Sequence, residues 1–494
     1  MERSMPKSID YQDVLPVAVP AVQRRRKFFP VNGTSFGPDG TNEIRIPISS
    51  QNSMLDAQNS FVEMTVVNQG GGATFGIDIG GGHTFFDEVR LEQGGRVLSR
   101  IQEYNRLHCG ILAPVQDHSD GRITQSITEQ TNGLRSGAGL AAGAIAPAAP
   151  GGGGDVYSDS VHATNTFVGA ADSVTFTFRP TQGLFDQDKL VPLPLVSPAA
   201  PMELVLRLTD VDNIGVWSAP PIDNAYIVSR ISYVASLIEV GSDVVQQVKQ
   251  IQAMSGGQLV LSGTDIEHTS GDLPIATAGE VPIRCPIRKK SVQSLLFNMQ
   301  SNDYTNGAAG LAANNVFNLS FAGSANMDTY QLKVGSVVYP PQPVNCWGST
   351  AAAGAEFRRS ECAMELAKAF GALGFTTPTG YLSTLTYGTT QDVAFAAGLA
   401  PALTDGDNGD GAGGSVAPAS GTSITATPFG LDLQSFQHEA IESGVNSEKM
   451  ALETNLVLNI SNATSGIEAK TVHMFLLFDQ HYMFGADGMI TSSS

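Results

Sequence analysis

Charge is scarce in this 494-residue chain, and positive charge is scarcer still. Only 15% of the residues are Asp, Glu, Lys or Arg, and 47 acidic against 28 basic residues leave a formal charge of −19. Neutralising nucleic-acid phosphates takes clustered Lys and Arg, so the chain as a whole does not read as a nucleic-acid wrapper and no sequence-specific nucleic-acid contact is expected. Cysteine is nearly missing. Cys109, Cys285, Cys346 and Cys362 stand far apart, with no CxxC and no paired His spacing, which argues against both a disulfide framework and a zinc site. No long apolar run of about 18 residues occurs, and no charged-then-apolar leader opens the sequence. The expectation is a soluble product of a reducing compartment without a secretion signal, in which the sequons at Asn32, Asn318, Asn459 and Asn462 are chance matches.

What fills the chain instead is glycine (53), proline (26) and small uncharged residues. Such a composition suits many short strands joined by turns. Single cores rarely grow past roughly 250 to 300 residues, so two domains are expected at this length. Period-two alternation is the dominant pattern. Val62, Met64 and Val66 alternate with Glu63 and Thr65, and Val174, Phe176 and Phe178 alternate with Thr175, Thr177 and Arg179. Met202 to Leu208, Ile227 to Leu237, Phe317 to Phe321 and Leu452 to Ile460 follow the same rule, and Val472 to Phe478 adds a very apolar strand near the end. One apolar face at period two marks a sheet packed on one side. Helix signals are few: Ser360 caps a segment with Met364, Ala367, Phe370 and Leu373, and Asp243 starts a shorter one with Val244, Val248 and Ile251.

The order of parts recurs. In the first half a helical stretch, IQEYNRLHCGIL, leads into a Gly/Ala-rich insertion at 136–154, then QGLFD at 182–186, an alternating strand, a loop and a longer strand ending near Val240. In the second half the helix at 360–373 leads to an insertion at 397–422, then FGLDL at 429–433, an alternating strand and a long final strand. The join falls near 241–258. Inserted loops of this size are functional or disordered elaborations. The resulting division is an arm at 1–27, a first sandwich at 28–250 with its insertion at 111–170, a second at 251–485 with its insertion at 374–428, and a tail at 486–494.

Three local patterns suggest chemistry. Asp78 to Thr84, with Gly80, Gly81 and Gly82 between them, looks like the phosphate loop of an actin-type or sugar-kinase-type ATPase. The architecture around it argues otherwise. Phe86, Val89 and Leu91, then Gly94-Gly95, then Val97, Leu98 and Ile101 read as two strands joined by a tight glycine turn, and no second phosphate loop follows. The glycines are expected to make a turn between sandwich strands. Asp405, Asp407 and Asp410 cluster in LTDGDNGDG, but Asp410 and Val416 stand where an EF-hand loop needs Gly and Glu; the stretch reads as a solvated acidic loop or an ion site at a subunit contact. His83, His108, His162, His268, His438, His473 and His481 are scattered, and His118 stands near Asp117 and Asp120, a spacing from which no catalytic set can be argued. The one basic cluster is Arg24, Arg25, Arg26 and Lys27. It is either a solvated patch ending the arm or a contact for an acidic partner such as lipid headgroups, genome or a neighbouring subunit.

Three stretches carry a family likeness: RVLSRIQEYNRL at 96–107, YQLKVGSVVYPPQPV at 330–344, and IESGVNSEKMALETNLVLNIS at 441–461. Across residues 28–485 the chain resembles the double jelly-roll major capsid proteins of DNA viruses. The likeness is to those of polinton-like viruses, virophages and adintoviruses, and more distantly to adenovirus hexon and large-DNA-virus capsids. The resemblance implies an all-β fold of two tandem eight-stranded jelly rolls with a few short helices and long inserted loops. It implies a homotrimer of pseudo-hexagonal outline that tiles an icosahedral capsid in the virion beside minor capsid and penton proteins. Arg24, Arg25, Arg26 and Lys27 would then lie at the inner surface, against an internal membrane or a minor capsid protein. The acidity and low lysine content depart from the large-virus pattern. No catalytic residue, cofactor or metal is expected. The other reading is a two-sandwich carbohydrate-binding or adhesin module, against which stands the presence of only two tryptophans, Trp217 and Trp347.

Overall fold

The structure is a computed structural model and describes residues 21–69, 75–77, 80–113, 140–141, 144–145, 167–168, 173–181, 183–185, 189–217, 225–274, 279–301, 319, 327–346, 359–373, 390–391, 423–424, 428–435, 443–448, 453–460 and 470–494. Residues 1–20, most of both insertions, the cluster Asp405, Asp407 and Asp410, and Asp78, Asp117, His118, Asp120, His162, His438, Asn318, Asn462 and Trp347 lie outside the described residues. So does the expected strand at 317–321, apart from Leu319, which is a buried turn residue.

Alternating sequence becomes sheet. The first half contains β1 (Ala21–Phe28), β2 (Glu43–Ile48), β3 (Ser53–Asn68), β4 (Phe86–Gln93), β5 (Arg96–Gln102), β6 (Ser173–Phe178), β7 (Met202–Leu208) and β8 (Tyr226–Val240). These strands form two antiparallel sheets, a first in the order β1-β8-β3-β6 and a second in the order β2-β7-β4-β5. The tight turn between β4 and β5 is made by Gly94 and Gly95 at φ of 56° and 79°, left-handed backbone that glycine adopts without strain. Helix α1 (Ser242–Met254) then leads out of the first half.

The second half repeats this wiring. Its strands are β9 (Gln258–Leu273), β10 (Gly279–Arg284), β11 (Val292–Ser301), β12 (Met327–Val334), β13 (Val337–Asn345), β14 (Phe429–Asp432), β15 (Thr454–Ile460) and β16 (Lys470–Gly485). Helix α2 (Arg359–Ala369) follows β13 and runs into a tighter turn at Phe370–Leu373. The sheets run β9-β16-β11-β14 and β10-β15-β12-β13, so each strand takes the place held by the strand eight numbers lower. Each half is thus an eight-stranded jelly roll, two sheets with their inner faces packed together. Both insertions fall between the fifth and sixth strands of their roll, a placement that local sequence had left open.

The core sits between the sheets. Ile44, Ile46 and Ile48 of β2 meet Val62, Met64 and Val66 of β3, all fully buried. Phe85 and Phe176 lie 5.3 Å apart between ring centroids, as do Phe86 and Phe178. In the second roll Phe297, Tyr330 and Phe429 form the matching aromatic cluster at 5.2 to 5.8 Å, and the Tyr330 hydroxyl donates to Gly430 O at 2.9 Å.

Three segments differ from their sequence reading. Residues 21–27, grouped with the arm, form β1 along the edge of the first sheet, held by its ladder with β8 while nearly all their side chains stay exposed. An edge strand of that kind leaves no apolar period to read. Helix α1 is longer than α2, and IQEYNRLHCGIL supplies the end of β5, a short α-turn at Tyr104–Arg106 and a π-helical turn at Leu107–Leu112. Within the tail 486–494, Ile490–Ser493 pairs with β16.

Replacing Phe176 with Ala empties a fully buried site touching Phe85. The expected loss is about 3 to 5 kcal/mol of stability, read from the urea unfolding midpoint, and a loss below about 1 kcal/mol would contradict the packing described.

Candidate functional site: the junction between the two sandwiches

The segment following β5 wedges between the rolls. Glu103 takes a left-handed conformation at φ 51°, turning the chain out of the strand, and its Oε2 accepts from Arg106 Nε at 2.6 Å. Every residue from Tyr104 to Ala113 is buried. On the first-roll side, Tyr104 Oη lies 2.9 Å from His83 Nδ1 and accepts from Thr181 N at 3.2 Å, while Asn105 Nδ2 donates to Thr209 Oγ1 at 3.1 Å. On the second-roll side Gly110 lies against β11 so closely that a Cβ there would stand 2.3 Å from Asn298 Nδ2. A larger residue there would have to displace the Asn298 amide.

The wedge lies on the outer face of the second roll's first sheet. Leu295, Phe297, Met474 and Leu476 point into that roll's own core, yet their outward neighbours Leu296, Asn298, His473, Phe475 and Leu477 are buried too. Beside the wedge, β5 runs along β9, and a cavity of about 400 Å³ between them is lined by Ser99, Asp265, His268, Lys289, Phe478 and Gln480 among others. A second pin joins the chain end to the first roll. Gln93, fully buried at the β4–β5 hairpin, donates through Nε2 to Ala200 O (3.0 Å) and Gly488 O (2.8 Å) and accepts from Ile490 N (2.6 Å). Ser197 N donates to Gly488 O at 2.9 Å.

The junction gathers histidines that the sequence left scattered. His83 and His108 stack at 3.7 Å and 3°, and His268 Nε2 lies 3.1 Å from His473 Nδ1 across β9 and β16. Burial pushes His83 down to about 3 and His268 down to about 4. His108 is lowered by burial and by His83, and His473 by burial and by the charge of Arg106 and by His268. All four therefore sit neutral at physiological pH. Burial raises Asp265 to about 6, against hydrogen bonds from Ser99 and from Ile266 N, the latter at 2.9 Å. Partners so distant in sequence left no spacing signal.

The outer face of the β2-β7-β4-β5 sheet carries a lattice of ion pairs. Arg45 meets Glu43 (2.6 Å), Glu92 (3.2 Å) and Glu203 (3.4 Å), and Arg90 meets Glu43 (2.6 Å), Glu88 (3.1 Å) and Glu92 (3.4 Å). Arg100 and Arg207 close on Glu88 at 2.8 and 3.3 Å. Glu88 and Glu92 are nearly inaccessible, so the arginines compensate carboxylates already taken from water. Alternating signs at Glu88, Arg90 and Glu92 are the sequence trace of this face.

The basic cluster is divided between two sides of β1. Arg25 and Lys27 reach Glu63 (3.9 and 2.8 Å), with Arg25 over the Phe61 ring. Arg24 pairs with Glu239 at 2.8 Å and Arg26 lies over Phe28. The glycine-rich stretch is a packing element. Gly81–Phe85 is a buried 3-10 turn in which a Cβ on Gly82 would press on Phe178 and Phe176 at 3.1 and 3.2 Å. Among the described residues no group of three or more His, Cys, Asp or Glu stands where it could hold a metal.

No known family profile and no curated protein matches the chain by sequence. Solved structures do match it over nearly their whole length. PBCV-1 VP54, fitted into a cryo-EM reconstruction of the virophage Sputnik, gives a TM-score of 0.59 at 11% identity over 98% of this chain and 99% of that one. A structure of the Sputnik virophage gives 0.55 at 8% identity over 100% and 93%, and the Faustovirus major capsid protein gives 0.54 at 8% over 95% and 91%. At such identities the similarity concerns the fold, which is the double jelly roll.

A buried neutral histidine takes up a proton on unfolding. Its stabilisation is complete above the ordinary value of 6.5 and is lost as pH falls toward the folded value, by up to about 1.4 kcal/mol per pH unit for each group. Asp265 works the other way between 3.8 and about 6, offsetting one histidine. The urea midpoint is therefore expected to be lower at about pH 5 than at about pH 7.5, and His268→Gln should flatten the difference. Equal midpoints in the parent chain would contradict this account.

Proposed function

We propose that the chain is a major capsid protein: a structural component of a virion that homotrimerises into capsomers of pseudo-hexagonal outline, which tile an icosahedral shell. The observation carrying this reading is the exact repetition of strand order in two rolls fixed to one another by a buried junction. A three-chain ring has six similar corners only if each chain contributes two similar domains in a set orientation. The similarity to PBCV-1 VP54 and the Faustovirus major capsid protein supports the same reading. Closed rings also cover sheet faces and edges that would otherwise invite disordered association. Assembly would take place inside the host cell, with minor capsid and penton proteins as further partners.

Light-scattering mass of the purified chain is expected to be three times 51.8 kDa, and electron microscopy should show six-cornered particles. A stable monomer that binds sugar would favour the adhesin reading instead.

The basic strip is the narrower part of the proposal. Arg24 and Arg26, two apart on β1 and so on one side of it, belong to a contact with an acidic layer beneath the shell, either lipid headgroups or a minor capsid protein. The double substitution Arg24→Glu/Arg26→Glu should leave the trimer mass unchanged while abolishing shell assembly. Normal assembly by this variant would remove the assignment.

A further inference from the structure

Cys346 and Cys362, set apart in the sequence by residues 347–361, become neighbours in the fold. Cys346 comes directly after β13, its backbone N–H donating to Asp328 O of β12 at 2.7 Å, and Cys362 lies near the start of α2. The two residues are 1% and 0% exposed, and the side chain of Cys346 is hydrogen-bonded to that of Cys362. Beside them Asn345 Nδ2 donates to Glu361 Oε2 at 2.7 Å, a second tie between strand and helix. A thiol is a weak donor and a weak acceptor, so two of them facing each other in a buried site add little to stability as they stand. What such a pair can do is close into a disulfide.

Position gives that bond a structural effect. β13 is the last strand of one sheet of the second roll and β14 the last of the other, and α2 packs against both. The helix lies hard on β14: a Cβ on Gly430 would stand 2.8 Å from the Ala369 Cβ. A bond from Cys362 to Cys346 therefore joins β13 covalently to the helix that covers β14. The first roll holds no such pair, since its one cysteine, Cys109, lies in the wedge with Sγ 3.4 Å from Thr84 Oγ1.

We propose that Cys346 and Cys362 are a redox modification site, oxidised to a disulfide by a small peroxide once the folded chain leaves a reducing compartment, and that the bond fastens α2 across the second roll. The proposal stands on the thiol pair and goes beyond the capsid reading. The thiolate of one cysteine attacks a peroxide oxygen; the O–O bond breaks, the thiol's proton departs in water, and a sulfenic acid remains. The second sulfur then attacks the first, the S–S bond forms, the S–O bond breaks and another water leaves. Both thiols are oxidised and the peroxide is reduced to water. Contact between the thiols lets the second resolve the sulfenic acid before it is oxidised further.

Burial, the adjoining thiol and the carboxylates of Glu361 and Asp328 hold the Cys346 thiol well above its ordinary range. At neutral pH it is protonated and slow to react, so the pair stays reduced while the chain folds, and oxidation quickens as pH rises.

The test treats the full chain, purified with a reductant that is then removed, with hydrogen peroxide at about pH 7 and about pH 9. Peptide mass mapping should find Cys346 joined to Cys362 within one copy, sooner at the higher pH, with Cys109 and Cys285 still reduced. The thermal midpoint should rise by about 5 °C and fall back on adding dithiothreitol. Cys362→Ser, treated alike, should show no rise. Peroxide that leaves all four thiols reduced, links other cysteines or separate copies, or carries either residue to sulfonic acid overturns the proposal. So does a linked chain whose midpoint does not move, or an equal rise in Cys362→Ser. Should that variant misfold, the peptide map and the reversible midpoint of the parent chain decide alone. A monomeric chain that forms the bond leaves this site standing and removes only the capsid reading.

Discussion

The second roll has a sheet whose central strands, β11 and β16, are buried on both faces, and the rest of the molecule is arranged around covering it. From Val472 to Phe478 every residue of β16 is buried, although an antiparallel sandwich needs only every second one inside. The outward set must be taken from water by something other than its own roll. The wedge after β5 does this, which is why a segment of first-roll sequence is buried from Tyr104 to Ala113 and why Gly110 sits close against the Asn298 amide. Two sandwiches that could have been independent beads become one body.

That burial sets the chemistry of the junction. Histidines that would titrate near neutrality in water are held uncharged, and a carboxyl at 265 is raised toward neutrality. Perturbed groups of this kind often mark active sites. Here they arise from desolvation between packed sheets, and the glycine-rich stretch that resembles a phosphate loop is packed under Phe176 and Phe178.

Legibility followed the side chains. Strands with one buried face, such as β3, β6 and β7, announced themselves by alternation, and the repeated order of parts made the duplication readable. β1 did not, because an edge strand held by backbone bonds buries almost none of its side chains. The candidate site was hardly legible at all. The run VHMFLLF hinted at a strand covered on both faces, but nothing local says what covers it. His268 and His473 meet because β9 and β16 pair, and Gln93 holds Gly488 and Ile490 from the far end of the chain.

Composition, period and order by themselves determined an all-β chain built of two similar sandwiches, low in charge and without an apolar run of about 18 residues, because these depend on which residues neighbour one another along the backbone. Tertiary structure alone decided that both insertions leave between the fifth and sixth strands, that the basic cluster splits across the two sides of β1, and that the first roll lies on the outer face of the second. Those facts depend on pairings between residues up to 397 positions apart. Sequence periodicity reports whether a face is covered; only the folded chain specifies by what.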